Sequence, residues 1–148
     1  MSEHRMTVRW SRTSDDFDYQ RFNREHEWDF GAGLELPASS APDYLGAEDR
    51  VDPEQAFVAA LSSCHMLTFL ALASKRRLVV DSYEDEAVGT LAKTADGRMA
   101  IVRVELRPRV RFADGAGPDD ATLAQLHEKA HKYCFIANSV TTDVTVVG

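Results

Sequence analysis

The chain of 148 residues is 44% hydrophobic and 28% charged, with a formal net charge of -7 and an isoelectric point near 5.2. This length and composition exclude an intrinsically disordered chain and predict a single globular domain, residues 1–148, that is large enough for its own core. The net negative charge argues against nucleic acid or an anionic membrane as a partner, because phosphate binding depends on clustered lysine and arginine.

Two strands and a loop are predicted in the N-terminal part of the chain. Apolar and polar residues alternate from Thr7 to Trp10 and from Phe22 to Phe30, where Arg24 and His26 share a face with aromatic side chains. The residues that follow, Gly31 to Asp52, are rich in turn-forming types. We expect them to form a surface loop that leads to the next element.

The longest apolar segment, Asp52 to Lys75, predicts a buried central helix. Asp52 suits the N-cap, Pro53 suits the first helical position, and Gln55 stands where a capping box requires Glu or Gln. No Asp, Glu, Lys or Arg lies between Gln55 and Lys75, and apolar side chains occupy every side of the helical wheel. We therefore expect this helix to be covered on all sides.

A segment of this length also suits a membrane-spanning helix, which needs about 20 apolar residues. Four polar residues interrupt the apolar run near its centre, where polar groups are most costly in lipid, namely Ser62, Ser63, His65 and Thr68. We therefore interpret the segment as the core helix of a soluble protein and expect no membrane partner.

Two long strands joined by a tight turn are predicted after the central helix. Leu78 to Lys93 is rich in strand-forming residues, and Met99 to Phe112 alternates apolar with charged positions. Between them, Asp96 and Gly97 form the sequence that most strongly indicates a hairpin turn.

A second helix and a final strand complete the predicted fold. Asp119 or Asp120 caps a helix from Ala121 to about Cys134, and Val140 to Val147 forms the last strand. The order of elements predicts an α+β domain with an antiparallel sheet packed on the two helices. A single sheet would leave one side of so apolar a helix exposed, so we also predict a homodimer that shares the helices.

Cys64 and Cys134 are the only cysteines, one on each predicted helix. Two cysteines are too few for a secreted disulfide framework and the N-terminus has no apolar signal segment, so we predict a cytoplasmic location. In that compartment a cysteine pair indicates redox chemistry or metal binding, and the alternative is that both thiols only pack. The polar neighbours of Cys64 favour a functional role, because polar groups inside an apolar run need partners or water.

The same residues give the chain a resemblance to the OsmC/Ohr family, the osmotically inducible protein C and organic hydroperoxide resistance proteins. The similarity rests on Pro53-Glu54-Gln55, on the apolar run to Ser63-Cys64-His65-Met66, on Cys134 at the end of the second helix, and on the order of elements from Phe22 onward. The resemblance implies an OsmC-like fold in an intertwined homodimer that acts as a thiol peroxidase on small organic hydroperoxides.

The resemblance also implies roles for individual residues. Cys64 is then the thiol that attacks the peroxide, Cys134 is the thiol that resolves the sulfenic acid to a disulfide, and an external dithiol reductant restores both. Glu54 matches the glutamate at the start of the central helix, and Arg24, with Arg21 as the alternative, matches the arginine near the N-terminus. No metal or nucleotide cofactor is implied, and the chain contains no glycine-rich phosphate loop.

Thiol chemistry explains why such a site needs a cation. A thiol with a pKa of about 8.5 is mostly protonated at neutral pH, so Cys64 needs a nearby positive charge, which Arg24 would supply and Glu54 would hold. Glu54 lies roughly 15 Å along the helix from Cys64, because each residue adds about 1.5 Å. We therefore expect either movement of the arginine or a glutamate from the partner subunit. The sequence leaves open whether His26 and His65 contribute.

Two further hypotheses belong to other functional classes. His127-Glu128-Lys129-Ala130-His131 matches the H-E-x-x-H zinc protease pattern, but no His or Glu follows His131 to provide a third ligand, so we interpret it as a solvent-facing helix end. A Cys/His metal site built from Cys64, His65, His131 and Cys134 is the first alternative to the peroxidase. A non-catalytic relative in which both cysteines only pack is the second.

Overall fold

The computed structural model describes residues 1–148 and has the predicted α+β content, with two helices and eight strands in chain order. The strands are β1 (Thr7–Arg9), β2 (His26–Asp29), β3 (Glu35–Ala38), β4 (Val80–Asp85), β5 (Val88–Lys93), β6 (Met99–Leu106), β7 (Pro108–Phe112) and β8 (Asp143–Val146). The helices are α1 (Pro53–Lys75) and α2 (Asp120–Tyr133), and short 3-10 turns lie at Pro42–Tyr44, Ala113–Gly115 and Ala137–Ser139.

The chain forms two compact units, residues 1–56 and residues 57–148, with α1 beginning in the first and continuing through the second. In the first unit, β1, β2 and β3 form an antiparallel sheet with β2 at its centre. The prediction of a single domain over residues 1–148 stays a prediction.

Two predictions for the first unit were wrong in part. The strand expected from Phe22 to Phe30 is extended only at His26–Asp29, because the backbone N–H groups of Arg21 and Phe22 both donate to the carbonyl of Asp18 and close a turn. The expected loop contains β3, which pairs with β2 along its four residues. A strand this short carries too little alternation to be recognised from sequence.

The start of α1 confirms the predicted capping box. The backbone N–H of Gln55 donates to Asp52 Oδ1 at 2.8 Å, and the backbone N–H of Asp52 donates to Gln55 Oε1 at 3.1 Å. Pro53 occupies the first helical position, where its missing N–H costs nothing. Lys75 ends the helix, where a cation suits the negative end of the dipole.

Along the second unit α1 buries one narrow stripe at four-residue spacing, which consists of Leu61, His65, Phe69 and Ala73. The opposite face is apolar and exposed, with Leu67 at 60% exposure. By length and composition alone α1 could cross a membrane, a property that core helices of soluble proteins share. The buried stripe shows that α1 packs against the rest of its own chain on one side.

Two sheets, instead of one, form in the second unit. β4 pairs with β7, while β6 lies between β5 and β8, antiparallel to β5 and parallel to β8. The two long strands predicted on either side of Gly97 are therefore each divided, and each half belongs to a different sheet. The division has a visible cause, because the backbone N–H of Arg107 donates to Asp85 Oδ1 at 2.6 Å instead of to a neighbouring strand.

The predicted turn and second helix are confirmed. Gly97 has a φ of +84° and donates its N–H to Thr94 in the turn between β5 and β6. Asp119 is the N-cap of α2 and accepts a hydrogen bond from the Thr122 N–H at 2.8 Å. Cys134 is the residue directly after α2. On α2, Leu126 and Ala130 are buried, Leu123 is half-buried and Tyr133 is 53% exposed.

Candidate functional site

The two thiols lie close together in the second unit and are both free. Cys64 is half-buried near the middle of α1, and Cys134 at the end of α2 is only 1% exposed. Burial raises the pKa of Cys134, and the neighbouring Cys64 thiol raises it further. The structure thus brings together the two cysteines that the sequence singled out, across 70 positions of the chain (134 − 64).

A backbone turn fixes the position of Cys134. The N–H of Ala137 donates to Cys134 Sγ at 3.4 Å, which opposes the effect of burial on the pKa of this thiol. The N–H of Asn138 donates to the Cys134 carbonyl at 3.0 Å, and its side-chain amide donates to the Lys132 carbonyl at 3.2 Å. These bonds join the last turn of α2 to the 3-10 turn that follows, so the thiol has little freedom to move.

A polar cluster that the sequence analysis missed is centred on His65, the residue after Cys64 on α1. His65 is 1% exposed, and its Nε2 lies 3.0 Å from Nδ1 of His127 on α2. The pKa of His65 is lowered to about 4, chiefly by burial and also by the nearby His127 and His131. Burial also lowers the pKa of His127. His127 is therefore not the solvent-facing residue predicted, because its ring is half-buried and stacks on Phe69 at 4.5 Å.

Asp85 provides the charge in this cluster. Its carboxylate accepts hydrogen bonds from the Ser62 hydroxyl and from the Arg107 backbone N–H. The negative charge favours protonation of both His65 and His127, although burial outweighs it. Beside it, burial raises the pKa of Tyr83, whose buried hydroxyl has no hydrogen-bond partner. No sequence pattern signals this cluster, because its members come from three separate elements.

Arg24 and Glu54 both lie in the first unit and form no ion pair there. The Arg24 guanidinium donates to the carbonyls of Phe22 and Tyr19 and stacks 3.5 Å from the centre of the Phe22 ring. Glu54 Oε2 is buried without a partner. Arg21, the alternative arginine, is exposed and pairs with Asp16 at 2.7 Å.

His26 is explained by its own surroundings. Its Nδ1 lies 2.7 Å from the Arg24 carbonyl, and its Nε2 accepts a hydrogen bond from the Trp28 indole at 3.0 Å. Because Nε2 is the acceptor, Nδ1 carries the proton and donates to the carbonyl. Both ring nitrogens are satisfied within β2 and the residues before it, so the geometry gives His26 a structural role.

The alternative metal site is not assembled. The structure contains no group of three or more His, Cys, Asp or Glu side chains that could hold a metal ion. His65 is paired with His127 and Cys134 lies beside Cys64, whereas His131 is exposed. The four residues proposed as ligands are therefore divided between two separate clusters.

A groove of about 660 Å³ lies between α2 and the strands β7 and β8. Its walls are mainly apolar, with Val110, Leu123 and Val146 among the lining residues, and His127 and His131 also reach it. His127 thus connects this groove to the buried His65. Neither cysteine lines the groove, so it is separate from the thiol pair.

Comparison with known proteins gives one family and a set of related folds. The sequence model of the family described as OsmC-like protein matches residues 46–147. The solved structure of an OsmC-like protein of unknown function from Vibrio cholerae is similar over 99% of both chains, with 46% identity and a TM-score of 0.94. No curated protein matches the chain.

Organic hydroperoxide resistance proteins are more distant relatives in structure. One from Legionella pneumophila has 16% identity and a TM-score of 0.70 over 100% of both chains. OhrB of Bacillus subtilis has 19% identity and a TM-score of 0.68, and the similarity covers 98% of this chain and 96% of that one. At these identities the likeness shows a shared fold.

Proposed function

Because the chain belongs to the OsmC-like protein family, we propose that it is a cysteine-based peroxidase that reduces organic hydroperoxides with electrons from an external dithiol. The observation that carries this proposal is the pair of free, neighbouring thiols of Cys64 on α1 and Cys134 directly after α2. Two reduced cysteines from distant parts of a chain, adjacent in space, are suited to reversible disulfide formation.

The chemistry proceeds in three steps. The Cys64 thiolate attacks one peroxide oxygen, the O–O bond breaks, and the alkoxide takes up a proton and leaves as an alcohol, so that Cys64 becomes a sulfenic acid. The Cys134 sulfur then attacks the Cys64 sulfur, releases water and forms a disulfide. A dithiol reductant attacks this disulfide, leaves both cysteines as thiols and is itself oxidised.

We propose Arg24 as the cation that favours the Cys64 thiolate and Glu54 as the residue that orients its guanidinium. Arg24 makes hydrogen bonds only to carbonyl groups, so its charge is not neutralised by a carboxylate, unlike that of Arg21. The buried Glu54 oxygen without a partner indicates that a donor is required there. A planar guanidinium is the donor that fits a carboxylate best.

The surroundings of the thiols favour an organic substrate. Leu61, one turn before Cys64, packs in a buried apolar cluster with Ile136 and Ala137, which follow Cys134. An alkyl tail is favoured in such surroundings, whereas hydrogen peroxide gains nothing from them. We therefore propose a preference for organic hydroperoxides over hydrogen peroxide.

The exposed face of α1 supports a homodimer, and we propose the cytoplasm as its location. Ala60, Ser63, Leu67 and Ala71 lie along this face and are exposed in the single chain. A helix that carries no charge between Gln55 and Lys75 and exposes an apolar face requires a covering surface. We propose that the same face of a second copy provides it.

The test is consumption of cumene hydroperoxide by purified protein with a dithiol reductant, for wild type, Cys64→Ser and Cys134→Ser. We expect no turnover in Cys64→Ser. In Cys134→Ser treated with the peroxide before any reductant is added, we expect one oxidation per chain, which leaves Cys64 as a sulfenic acid detectable by mass spectrometry. Wild-type protein that does not consume the peroxide would exclude the proposed activity. Wild-type activity in Cys64→Ser would exclude the proposed mechanism.

A further inference from the structure

We propose that the hydrogen bond between His65 and His127 locks the register of α1 against α2 and thereby positions Cys64 and Cys134 for disulfide formation. The inference rests on the disulfide chemistry proposed above, and it assigns a positioning role to two histidines that touch neither the peroxide nor the reacting sulfur atoms.

The contact is the only side-chain hydrogen bond between the two helices. His65 Nε2 and His127 Nδ1 are 3.0 Å apart, and the two ring planes are 9° from parallel. His65 Nδ1 is buried without a partner, so the bond from Nε2 to His127 is the only side-chain hydrogen bond that His65 makes. A directional bond in a buried site restricts the relative position of the groups that carry it.

The remaining contacts between α1 and α2 are apolar. Phe69 and Ala73 of α1 pack with Leu126 and Ala130 of α2 in one buried cluster. Apolar contacts stabilise the pair of helices but are not directional, so they resist sliding less than a hydrogen bond of fixed length. The histidine pair is therefore the element that specifies one register.

Each histidine is close in sequence to one of the thiols. His65 directly follows Cys64, and His127 precedes Cys134 by seven positions (134 − 127), about two helical turns. A slip of one residue between the helices moves the thiols by about 1.5 Å. The Cβ atoms of a disulfide are confined to a range of about 1 Å, so one slip prevents bond formation.

The surroundings keep the pair in the state that can form this bond. A hydrogen bond between two imidazoles requires that one nitrogen carries a proton and the other does not. The titratable groups nearest to the pair are Tyr83 and Asp85 on β4 and His131 on α2. Burial keeps both imidazoles neutral at physiological pH, which preserves one donor and one acceptor.

The test measures the equilibrium between the reduced protein and glutathione. One oxidised glutathione converts the two protein thiols to a disulfide and yields two reduced glutathiones, so no peroxide is needed. We expect His65→Leu to lower the effective concentration of the thiol pair about fivefold or more. His65→Gln, whose amide can replace Nε2, should stay near wild type, and His131→Asn, one turn from His127 on α2, serves as the matched control.

The result that overturns the proposal is an unchanged glutathione equilibrium in His65→Leu with only a lowered urea midpoint, since a purely structural histidine affects stability alone. If His65→Leu does not fold, His127→Leu provides the test of the proposal, because it removes the same hydrogen bond at a half-buried position. A wild-type equilibrium in folded His127→Leu overturns the proposal equally. Failure of the peroxidase assay alone leaves this equilibrium measurable, so the two proposals are tested separately.

Discussion

Asp85 and Arg107 are joined by a hydrogen bond of 2.6 Å from the backbone N–H of Arg107 to Asp85 Oδ1, at the point where two strands change sheet. We expect Asp85→Ala to reduce the free energy of unfolding by about 1–3 kcal/mol, because it leaves this N–H and the Ser62 hydroxyl unpaired. Asp85→Asn retains one oxygen acceptor and should cost less. Urea unfolding measures the free energy of unfolding of both variants, and equal losses would show that the oxygen acceptor does not account for the stabilisation.

Stability should fall on acidification through the histidine pair. The folded pKa of His65 is about 4 against 6.5 for the free side chain, so the unfolded chain binds the proton more readily. The contribution of His65 to the free energy of unfolding is therefore fully present above pH 6.5. It decreases as the pH falls towards 4, by at most ~3 kcal/mol. Urea midpoints between pH 4 and pH 8 measure this decrease.

His65→Gln provides the comparison, because glutamine does not titrate in this range. The difference in stability between wild type and His65→Gln should change with pH only between about 6.5 and 4. Carboxylates with lowered pKa, such as Asp29 and Asp119, act in both proteins and cancel. A difference that stays constant across this range would contradict the assigned pKa of His65.

The capping box of α1 gives a third prediction. Asp52→Ala removes the oxygen that accepts the Gln55 N–H bond and should cost about 1 kcal/mol of stability. Thermal unfolding at constant pH measures the loss. Asp120→Ala, in the first turn of α2 but not its N-cap, is the matched control and should cost less. A larger effect in the control would refute the assigned cap.

A comparison of reaction rates distinguishes Arg24 from Arg21 as the residue that activates Cys64. We expect Arg24→Met to slow the reaction of Cys64 with cumene hydroperoxide by about 10²-fold, the usual effect of losing one electrostatic donor at a reacting centre. Arg21→Met should leave the rate near wild type, because this side chain is exposed and paired with Asp16. Stopped-flow oxidation measures both, and the opposite order would make Arg21 the activating residue.

A charge on the exposed face of α1 should separate the proposed homodimer. Leu67→Lys places an ammonium group where a second copy is expected, and a buried unpaired charge is strongly unfavourable. Sedimentation velocity should show a monomer or an aggregate for Leu67→Lys. Gln125→Lys, at an exposed position on α2, should sediment as wild type does. An unchanged dimer in Leu67→Lys would place the interface elsewhere.

The elements that the sequence predicted well are those whose ends carry local signals. Asp52 and Gln55 define the start of α1, and Gly97 defines the turn between β5 and β6, because caps and turns depend on residues a few positions apart. The prediction of two long undivided strands was wrong, because their division depends on a contact between Asp85 and Arg107, which are far apart in sequence. Periodicity contains no information about such a contact.

The same distinction applies to the candidate site. Cys64 and Cys134 could be predicted because they are the only cysteines and stand at recognisable positions on two helices. The role of His127 could not be predicted, because its partner His65 lies 62 positions earlier in the chain. The sequence neighbours of His127 form a pattern typical of an exposed helix. A residue whose role depends on a distant partner is visible only once the helices are packed.

The separation of the two cysteines has a thermodynamic consequence. The segment between Cys64 and Cys134 contains β4, β5, β6, β7 and α2. A bond between the thiols closes a loop of about 70 residues and restricts the unfolded chain by about 4 kcal/mol in the chain-entropy account. The oxidised protein would then resist heat better than the reduced one, and its melting temperature would report how much of the reductant has been consumed.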